Sequence, residues 1–186
     1  MKKLVVILLS VFAFVACSKD DGLQNEEPKI MTSLEGVYGS LWYLHGYGEE
    51  YYKDTTDGKT KVREYYTTID NSEGEESYGF TFWWYYFSEN FAGYIRFLPY
   101  DGGWTTEEMS YSYIPEQRKF IIGDKTYEIV EFSSSRIELR REYEVLYANS
   151  EYDSSIETEV YRRKKDGLMW SECVEWAKKG FLYGVE

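Results

Sequence analysis

Cysteine and histidine are scarce in this sequence, and their scarcity limits the chemistry available to it. The 186 residues include two cysteines, Cys17 and Cys173, and a single histidine, His45. One histidine excludes a site built on a pair of histidine ligands and a histidine-rich proton shuttle. The sequence also lacks a P-loop and the HExxH, GxSxG and CxxC motifs. We therefore expect a protein that is not an enzyme and that uses no cofactor or metal.

Positive charge is in the minority. Lysine and arginine number 21 against 33 acidic residues, which gives a formal net charge of -12. A chain this acidic repels phosphates, so nucleic acid is not an expected partner. The adjacent acidic pairs do not form a glycosidase dyad, because neighbouring residues of a strand point to opposite faces. We expect a solvated acidic surface from these pairs, which are Glu49–Glu50, Glu75–Glu76 and Glu107–Glu108.

Only one long apolar run is present, and it lies at the N-terminus. After two lysines, residues 4–16 are apolar apart from one serine. The run is too short for a bilayer span of about 20 residues, and it has the length of the apolar segment of a signal peptide. It ends in Ala16 directly before Cys17, which resembles the cleavage box of bacterial lipoproteins, with Phe14 where leucine is usual.

The resemblance to bacterial lipoproteins implies a processed and anchored protein. Residues 1–16 would be removed as a signal peptide, and Cys17 would become the lipidated N-terminus, on which several acyl chains suffice for a stable anchor. Residues 17–33, in which SKDDG follows Cys17, are similar to the flexible tethers of surface lipoproteins in Gram-negative bacteria. We expect a monomeric outer-membrane lipoprotein, attached by its lipid and facing either the periplasm or the cell surface. Cys173 then has no disulfide partner within the chain, so the fold depends on its core.

From Leu34 onward the sequence is typical of strands. Short runs rich in aromatic and β-branched residues alternate with turn signals such as Asp57-Gly58 and Gly123-Asp124. The links are too short for parallel crossovers, so consecutive strands are expected to be antiparallel neighbours. We predict an all-β fold over residues 34–164. It is an antiparallel up-and-down meander of about 8–10 strands, closed into a barrel that leaves no open edge.

The C-terminal residues 165–186 change period and predict one α-helix. Apolar side chains recur there at helical spacing, at Trp170, Cys173, Val174, Ala177 and Phe181. A helix with a single apolar stripe is expected to pack that stripe on the barrel. Cys173 lies in the stripe, so we interpret it as a small buried side chain rather than as a reactive thiol.

The run FTFWWYYF, residues 80–87, is aromatic on both faces of its strand. One face carries Trp83, Tyr85 and Phe87, and the other carries Phe80, Phe82, Trp84 and Tyr86. A barrel wall needs only one apolar face, so the second has to be covered. We expect the helix around residues 170–177 to cover it, and a partner, a ligand or the membrane surface are the alternatives.

Alternation also assigns faces to two late strands. In RIELRREYEV the apolar face includes Arg141. In IETEVY one face carries Thr158 and Val160, and the opposite face carries Glu157, Glu159 and Tyr161. Strands of this kind are expected to have one dry face and one wet face, as a barrel wall requires.

Two segments resemble lipocalin-like bacterial lipoproteins. LEGVY, which begins at Leu34, is similar to the Leu-x-Gly-x-Trp start of that family, with Tyr38 in the place of the tryptophan. The strand order of MSYSYIPEQRKFIIGDKTYEIVEFSSSRIELRRE resembles the second half of the same family. The resemblance implies a lipocalin-like barrel whose floor tryptophan packs on a late arginine. Trp42 can substitute for the tryptophan, and Arg140 or Arg141 can supply the arginine.

The resemblance and the aromatic content, 19% of the chain, favour a binding protein. We expect a lipid-anchored, non-enzymatic module for a small apolar or amphipathic ligand, lined by Trp42, Trp83, Tyr85, Tyr111, Tyr113 and Arg141. Arg141 would pair with an anionic group of the ligand, and a structural role at the barrel floor or a strand end is its alternative. The alternative function is a surface module that binds glycan or protein through exposed aromatics. An enzyme or an enzyme inhibitor is a third.

Overall fold

The computed structural model describes residues 29–69, 83–98, 103–145 and 151–179. The predicted signal peptide, the predicted lipidation site Cys17 and most of the predicted tether lie outside these residues. Several residues of the patterns above also lie outside them, namely Glu75, Glu76, Phe80, Phe82 and Phe181. Within the described part of the chain, no helix is long and apolar enough to cross a membrane.

Ten strands and one helix make up the described fold. The strands are β1 Ser40–Thr55, β2 Gly58–Thr68, β3 Trp83–Phe87, β4 Ala92–Leu98, β5 Gly103–Met109, β6 Tyr111–Ile114, β7 Lys119–Ile122, β8 Lys125–Phe132, β9 Arg136–Glu144 and β10 Ser154–Lys165. The helix α1 spans Trp170–Lys178, and 3₁₀ turns lie at Glu35–Val37 and Pro115–Gln117. Neighbouring strands are antiparallel throughout.

The strands form one sheet that curls into a nearly closed barrel. The sheet order is β5-β4-β3-β1-β10-β9-β8-β7-β6, so the first strand pairs with the last. The two edge strands, β5 and β6, are separated in the chain by Ser110 alone. The predicted all-β antiparallel meander with a C-terminal helix is therefore confirmed, as is its closure into a barrel apart from this seam.

Strand β1 changes partner along its length. Residues 40–43 pair with β3, whereas residues 46–55 pair with β2, and the pairing with β10 shifts register between Leu44 and Gly46. The hairpin of β1 and β2 turns at Gly58, whose φ of 121° is a conformation that glycine adopts readily. β2, β1, β10 and β9 therefore continue as a four-stranded wall beyond β3.

Residues 29–31, ahead of the first strand, contact the barrel. Met31 donates its backbone N–H to the carbonyl of Phe132 at 2.8 Å, and Phe132 donates to the carbonyl of Lys29 at 2.9 Å. Ile30 and Phe132 form an isolated parallel bridge. Residues 29–31, which the sequence pattern assigns to the tether, are thus fastened to the end of β8.

The two aromatic faces of β3 are covered from opposite sides. Tyr85 and Phe87 belong to the core inside the barrel, while Trp84 and Tyr86 pack outside it with Cys173 and Ala177 of α1. The ring of Tyr86 lies 5.6 Å from that of Trp170, and its hydroxyl donates to the carbonyl of Leu168 at 3.0 Å. The expectation that the helix covers the second face is confirmed.

The approach of the helix to the barrel depends on a glycine. A Cβ atom at Gly93 would lie 2.4 Å from the Trp170 ring, a separation that only glycine permits. Cys173 is fully buried in this interface, and burial raises the pKa of its thiol to about 12. It therefore packs as a small apolar side chain.

The floor of the barrel is built on Trp42. Its side chain is fully buried, its Nε1 donates to Ser40 Oγ at 2.8 Å, and the guanidinium of Arg163 lies 5.0 Å from the ring centre. Arg163 also donates to the carbonyl of Gly36 at 2.8 Å. Trp42 thus takes the place that the resemblance gives to the floor tryptophan, whereas Tyr38 is partly exposed.

The predicted arginine partners of this tryptophan are wrong. Arg140 and Arg141 lie on β9 and pair with Glu50 and Glu157 instead. Arg163 lies directly opposite Trp42 in the pairing of β1 with β10. Arg141 pairs with Glu157, six residues earlier on β10 than Arg163 and therefore about 20 Å away along the strand.

Apolar side chains fill the interior next to this floor. The rings of Phe87, Phe120 and Phe132 are mutually in contact, with centroids 5.7 to 6.3 Å apart. Leu44, Ile129 and other buried aliphatic side chains complete the cluster. Close packing of this kind leaves this half of the barrel as solid core.

Candidate functional site

Strand β10 brings two carboxylates into the barrel. Tyr161 is buried against Tyr85 in the interior, with ring centroids 5.3 Å apart. Glu159 and Glu157 precede Tyr161 on the strand by two and four residues. They therefore lie on the same face of β10 as Tyr161 and also point into the barrel. Because β10 pairs with β1 on one side and β9 on the other, this orientation is fixed. The expectation of a wet face for these glutamates is therefore wrong.

Glu159 is the more deeply buried of the two, with 1% of its surface exposed. Tyr161 donates its hydroxyl to Oε2 at 2.5 Å, and Tyr127 donates to Oε1 at 3.4 Å. Behind them, Trp83 Nε1 donates to the Tyr161 hydroxyl at 2.6 Å, and the Tyr85 ring packs on that of Tyr161. Both oxygens of this carboxylate thus accept from phenols, and the phenol on Oε2 accepts in turn from Trp83.

The surroundings of Glu159 shift its protonation. Burial, followed by the charge of Glu157, raises the pKa of Glu159 to about 7, against an ordinary value of 4.5. The hydrogen bond from Tyr161 and the charges of Lys125 and Arg141 act in the opposite direction. Burial also raises the pKa of the Tyr161 phenol well above its usual range, so that phenol stays a donor. Near neutral pH, Glu159 alternates between an acid and a carboxylate.

Glu157 lies closer to solvent and is held by an ion pair. Arg141 Nη2 contacts its Oε2, Arg141 Nε donates to the same oxygen at 3.1 Å, and the Tyr47 hydroxyl donates to Oε1 at 2.9 Å. The guanidinium of Arg141 also lies 5.9 Å from the ring centre of Tyr127 and 5.5 Å from that of Tyr143. The positive charge of Arg141 is therefore already engaged by side chains of the protein.

A third carboxylate, Glu49, marks the rim of this end of the barrel. Its oxygens accept from the hydroxyl of Tyr51 at 2.5 Å and from that of Tyr143 at 2.9 Å. Tyr143 is 36% exposed, Glu157 is 9% exposed and Glu159 is 1% exposed. Exposure therefore falls along one direction from rim to interior, and we call this end the mouth. It is lined by Tyr47, Glu49, Tyr51, Trp83, Tyr127, Arg141, Tyr143, Glu157, Glu159 and Tyr161.

The residues that the sequence pattern assigns to a ligand site divide between the two ends of the barrel. Trp83 and Arg141 lie at the mouth, whereas Tyr85 is buried deeper, directly opposite Trp42 in the pairing of β1 with β3. The other three lie next to the floor, namely Trp42, Tyr111 and Tyr113. There the Tyr111 hydroxyl donates to the carbonyl of Ser88 at 2.9 Å, and the Tyr113 hydroxyl donates to that of Met31 at 2.6 Å. These two phenols fasten loops to the closed end.

Sequence reasoning missed the acidic members of the mouth. Glu157 and Glu159 share the face of Tyr161, and an aromatic residue in that register signals an inward face. The pattern IETEVY was ambiguous because Val160 marks the opposite face equally well. Both faces are in fact largely buried, since Val160 is 2% exposed and Tyr161 is 1% exposed.

The mouth offers hydrogen-bond acceptors, aromatic faces and negative charge. No group of three or more histidine, cysteine, aspartate or glutamate residues within the described ranges is arranged to hold a metal ion. Carboxylates beside tyrosine rings instead suit an organic cation, which both the charges and the ring quadrupoles attract. Two open grooves also lie on the barrel, with volumes of about 330 and 470 Å³.

The raised pKa of Glu159 makes stability depend on pH. Below about pH 4.5 the side chain is protonated in both the folded and the unfolded chain. Between about pH 4.5 and 7 the unfolded chain loses this proton while the folded chain keeps it, so stability falls as pH rises. We expect Glu159→Gln to remove this component. Relative to the native chain, the free energy of unfolding of the variant should rise by about 2 to 3 kcal/mol between about pH 5 and pH 8.

Urea unfolding at the two pH values measures this difference. Glu116→Gln is the matched control, since Glu116 is exposed in the 3₁₀ turn Pro115–Gln117. A Glu159→Gln variant whose stability follows the native pH profile would show that Glu159 titrates as an ordinary surface carboxyl.

Comparison with known proteins assigns no relative. No protein-family model matches this chain, and no curated protein matches it significantly.

Proposed function

We propose that this chain is a non-enzymatic, lipid-anchored envelope protein that binds a small amphipathic ligand bearing a positive charge. The ligand would place its charged group at the mouth of the lipocalin-like barrel. The observation that carries this proposal is the pair of inward-facing carboxylates, Glu157 and Glu159, of which only Glu157 has an arginine in direct contact among the residues that the structure describes. An unmatched carboxylate inside a barrel favours a cation there.

The filling of the barrel supports a small ligand over a long apolar one. The half next to Trp42 is packed with phenylalanine and aliphatic side chains. A fatty-acid tail would have to displace that core, which costs several kcal/mol for each large buried side chain moved. A ligand held at the mouth meets half-buried aromatic side chains such as Tyr47 and Trp83 without disturbing the floor.

The charge at the mouth supports a cationic ligand over an anionic one. Arg141 was the residue expected to bind an anionic group, but it forms an ion pair with Glu157. An anionic ligand would have to displace Glu157 and would face Glu49 and Glu159 as well. The guanidinium of Arg141 over the Tyr143 ring shows that cations are accommodated on these aromatic faces.

The anchoring part of the proposal is supported by the lipoprotein-like sequence around Cys17. We expect cells that express the full chain and are supplied with labelled palmitate to transfer the label to it. Cys17→Ser should abolish labelling, because the acylated thiol is gone, whereas Cys173→Ser should retain it. Label that persists in Cys17→Ser, or depends on Cys173, would contradict lipidation at Cys17.

The binding part is tested with three ligands that share one aromatic ring, namely benzyltrimethylammonium, benzyl alcohol and benzenesulfonate. In a tryptophan fluorescence titration of the full chain, we expect the cation to bind most tightly. Its affinity should rise by about tenfold, or about 1.4 kcal/mol, between about pH 6 and pH 8 as Glu159 ionises. Glu159→Gln should remove that rise, and Glu116→Gln should preserve it. Tighter binding of benzenesulfonate, or a cation affinity that does not respond to pH, would contradict the proposal.

A further inference from the structure

The outer face of the four-stranded wall carries an aromatic platform, on the opposite side of the sheet from the inward-facing glutamates of the mouth. Tyr66 lies on β2 directly opposite Gly48 of β1. A Cβ atom at Gly48 would lie 3.0 Å from Tyr66 Cδ2, and one at Gly46 would lie 2.6 Å from the Tyr66 hydroxyl. The ring therefore lies over both glycines. An aromatic ring that lies over a glycine on the neighbouring strand shields the backbone of the sheet from water. The contact also holds the ring in place.

The upper side of this ring is open to solvent. Tyr66 is 60% exposed, among the most exposed large apolar side chains described. It borders a groove of about 470 Å³. The groove runs across four strands along one row of paired residues, Tyr66, Gly48, Thr158 and Arg140. At the usual strand spacing this row is about 14 Å long, which is room for a short oligosaccharide.

Polar groups line the groove beside the platform. Glu50 accepts from Lys61 at 3.0 Å, from Arg140 at 2.7 Å and from Tyr52 at 3.1 Å. Lys61 also pairs with Glu64 at 2.6 Å. The two basic side chains form ion pairs with the two glutamates. Together they present a network of hydrogen-bond donors and acceptors rather than a strong electrostatic field of one sign. Such a network suits hydroxyl groups.

From this arrangement we propose that the groove beside Tyr66 binds a neutral oligosaccharide. One sugar ring would stack its C–H face on Tyr66, and its hydroxyl groups would bond to Glu50, Arg140 and Thr158. Small residues at the floor, Gly48 and Thr158, leave space for the sugar. Acidic sugars are disfavoured because the carboxylates that line the groove outnumber its one arginine. The proposal is independent of the cation site, since the two sites lie on opposite faces of the sheet.

The full chain is kept in a detergent whose head group is not a sugar. Isothermal titration calorimetry then measures its binding of gluco-, xylo- and manno-oligosaccharides and of an oligogalacturonate of equal length. We expect at least one neutral series to bind and the acidic one to bind about tenfold more weakly or not at all. Tyr66→Ala should weaken binding by about tenfold or more. Tyr66→Phe should keep it, because the stacking face remains. Tyr38→Ala is the control for loss of an exposed tyrosine elsewhere on the barrel.

A second variant keeps the test decisive if Tyr66→Ala fails to fold. Thr158→Gln fills the floor of the groove without touching the platform, and it should abolish sugar binding while leaving benzyltrimethylammonium binding unchanged. The proposal is overturned if none of the neutral series binds, or if the oligogalacturonate binds as tightly as they do. Sugar binding that survives both Tyr66→Ala and Thr158→Gln overturns it as well.

Discussion

The contact of Glu159 with Tyr161 and Tyr127 is the interaction on which the rest of the interior depends. A carboxylate taken out of water costs several kcal/mol unless hydrogen bonds replace its hydration. Both oxygens of Glu159 accept from phenols, and one of these phenols, Tyr161, accepts from Trp83 in turn. The chain carries 20 tyrosines, and this cluster shows the use of several of them: a tyrosine fills core volume and still donates a hydrogen bond. These hydrogen bonds do not replace all of the hydration that the carboxylate loses on burial, and the loss raises the pKa of Glu159.

That contact divides the barrel into two chemically different halves. Next to the floor, Trp42 and Arg163 seal the end, and phenylalanine rings fill the space above them. Towards the mouth, three carboxylates, several phenols and Arg141 occupy the same cross-section, and Arg63 lies over the Tyr51 ring at the rim. A ligand that enters from the mouth meets charge and aromatic faces first and solid core below. The ligand that we propose is therefore small and polar-ended, in contrast to the long apolar ligand that a hollow barrel would accept.

Local patterns predicted the architecture well because they depend on near neighbours in the chain. Turn signals and strand runs gave the antiparallel meander, and helical spacing gave α1. The doubly aromatic β3 required a cover, which α1 supplies through Trp170 and Cys173. The site was harder to predict, because its members come from β1, β3, β8, β9 and β10 and meet only through strand register. The sequence pattern did not place Glu157 and Glu159 inside the barrel, because a glutamate is rarely buried without partners and their partners are distant in sequence. Arg163 was missed for the same reason: its contact with Trp42 depends on the pairing of the first strand with the last.

The most direct measurement of this arrangement is the titration of Glu159 itself. Carboxyl carbon NMR on protein with ¹³C-labelled glutamate, assigned through Glu159→Gln, follows each side chain as pH changes. Burial among phenols and the neighbouring charge of Glu157 predict one glutamate carboxyl with a pKa of about 7 that disappears in the variant. If all the glutamate carboxyls titrate below about pH 5, Glu159 is solvated and does not lie inside the barrel.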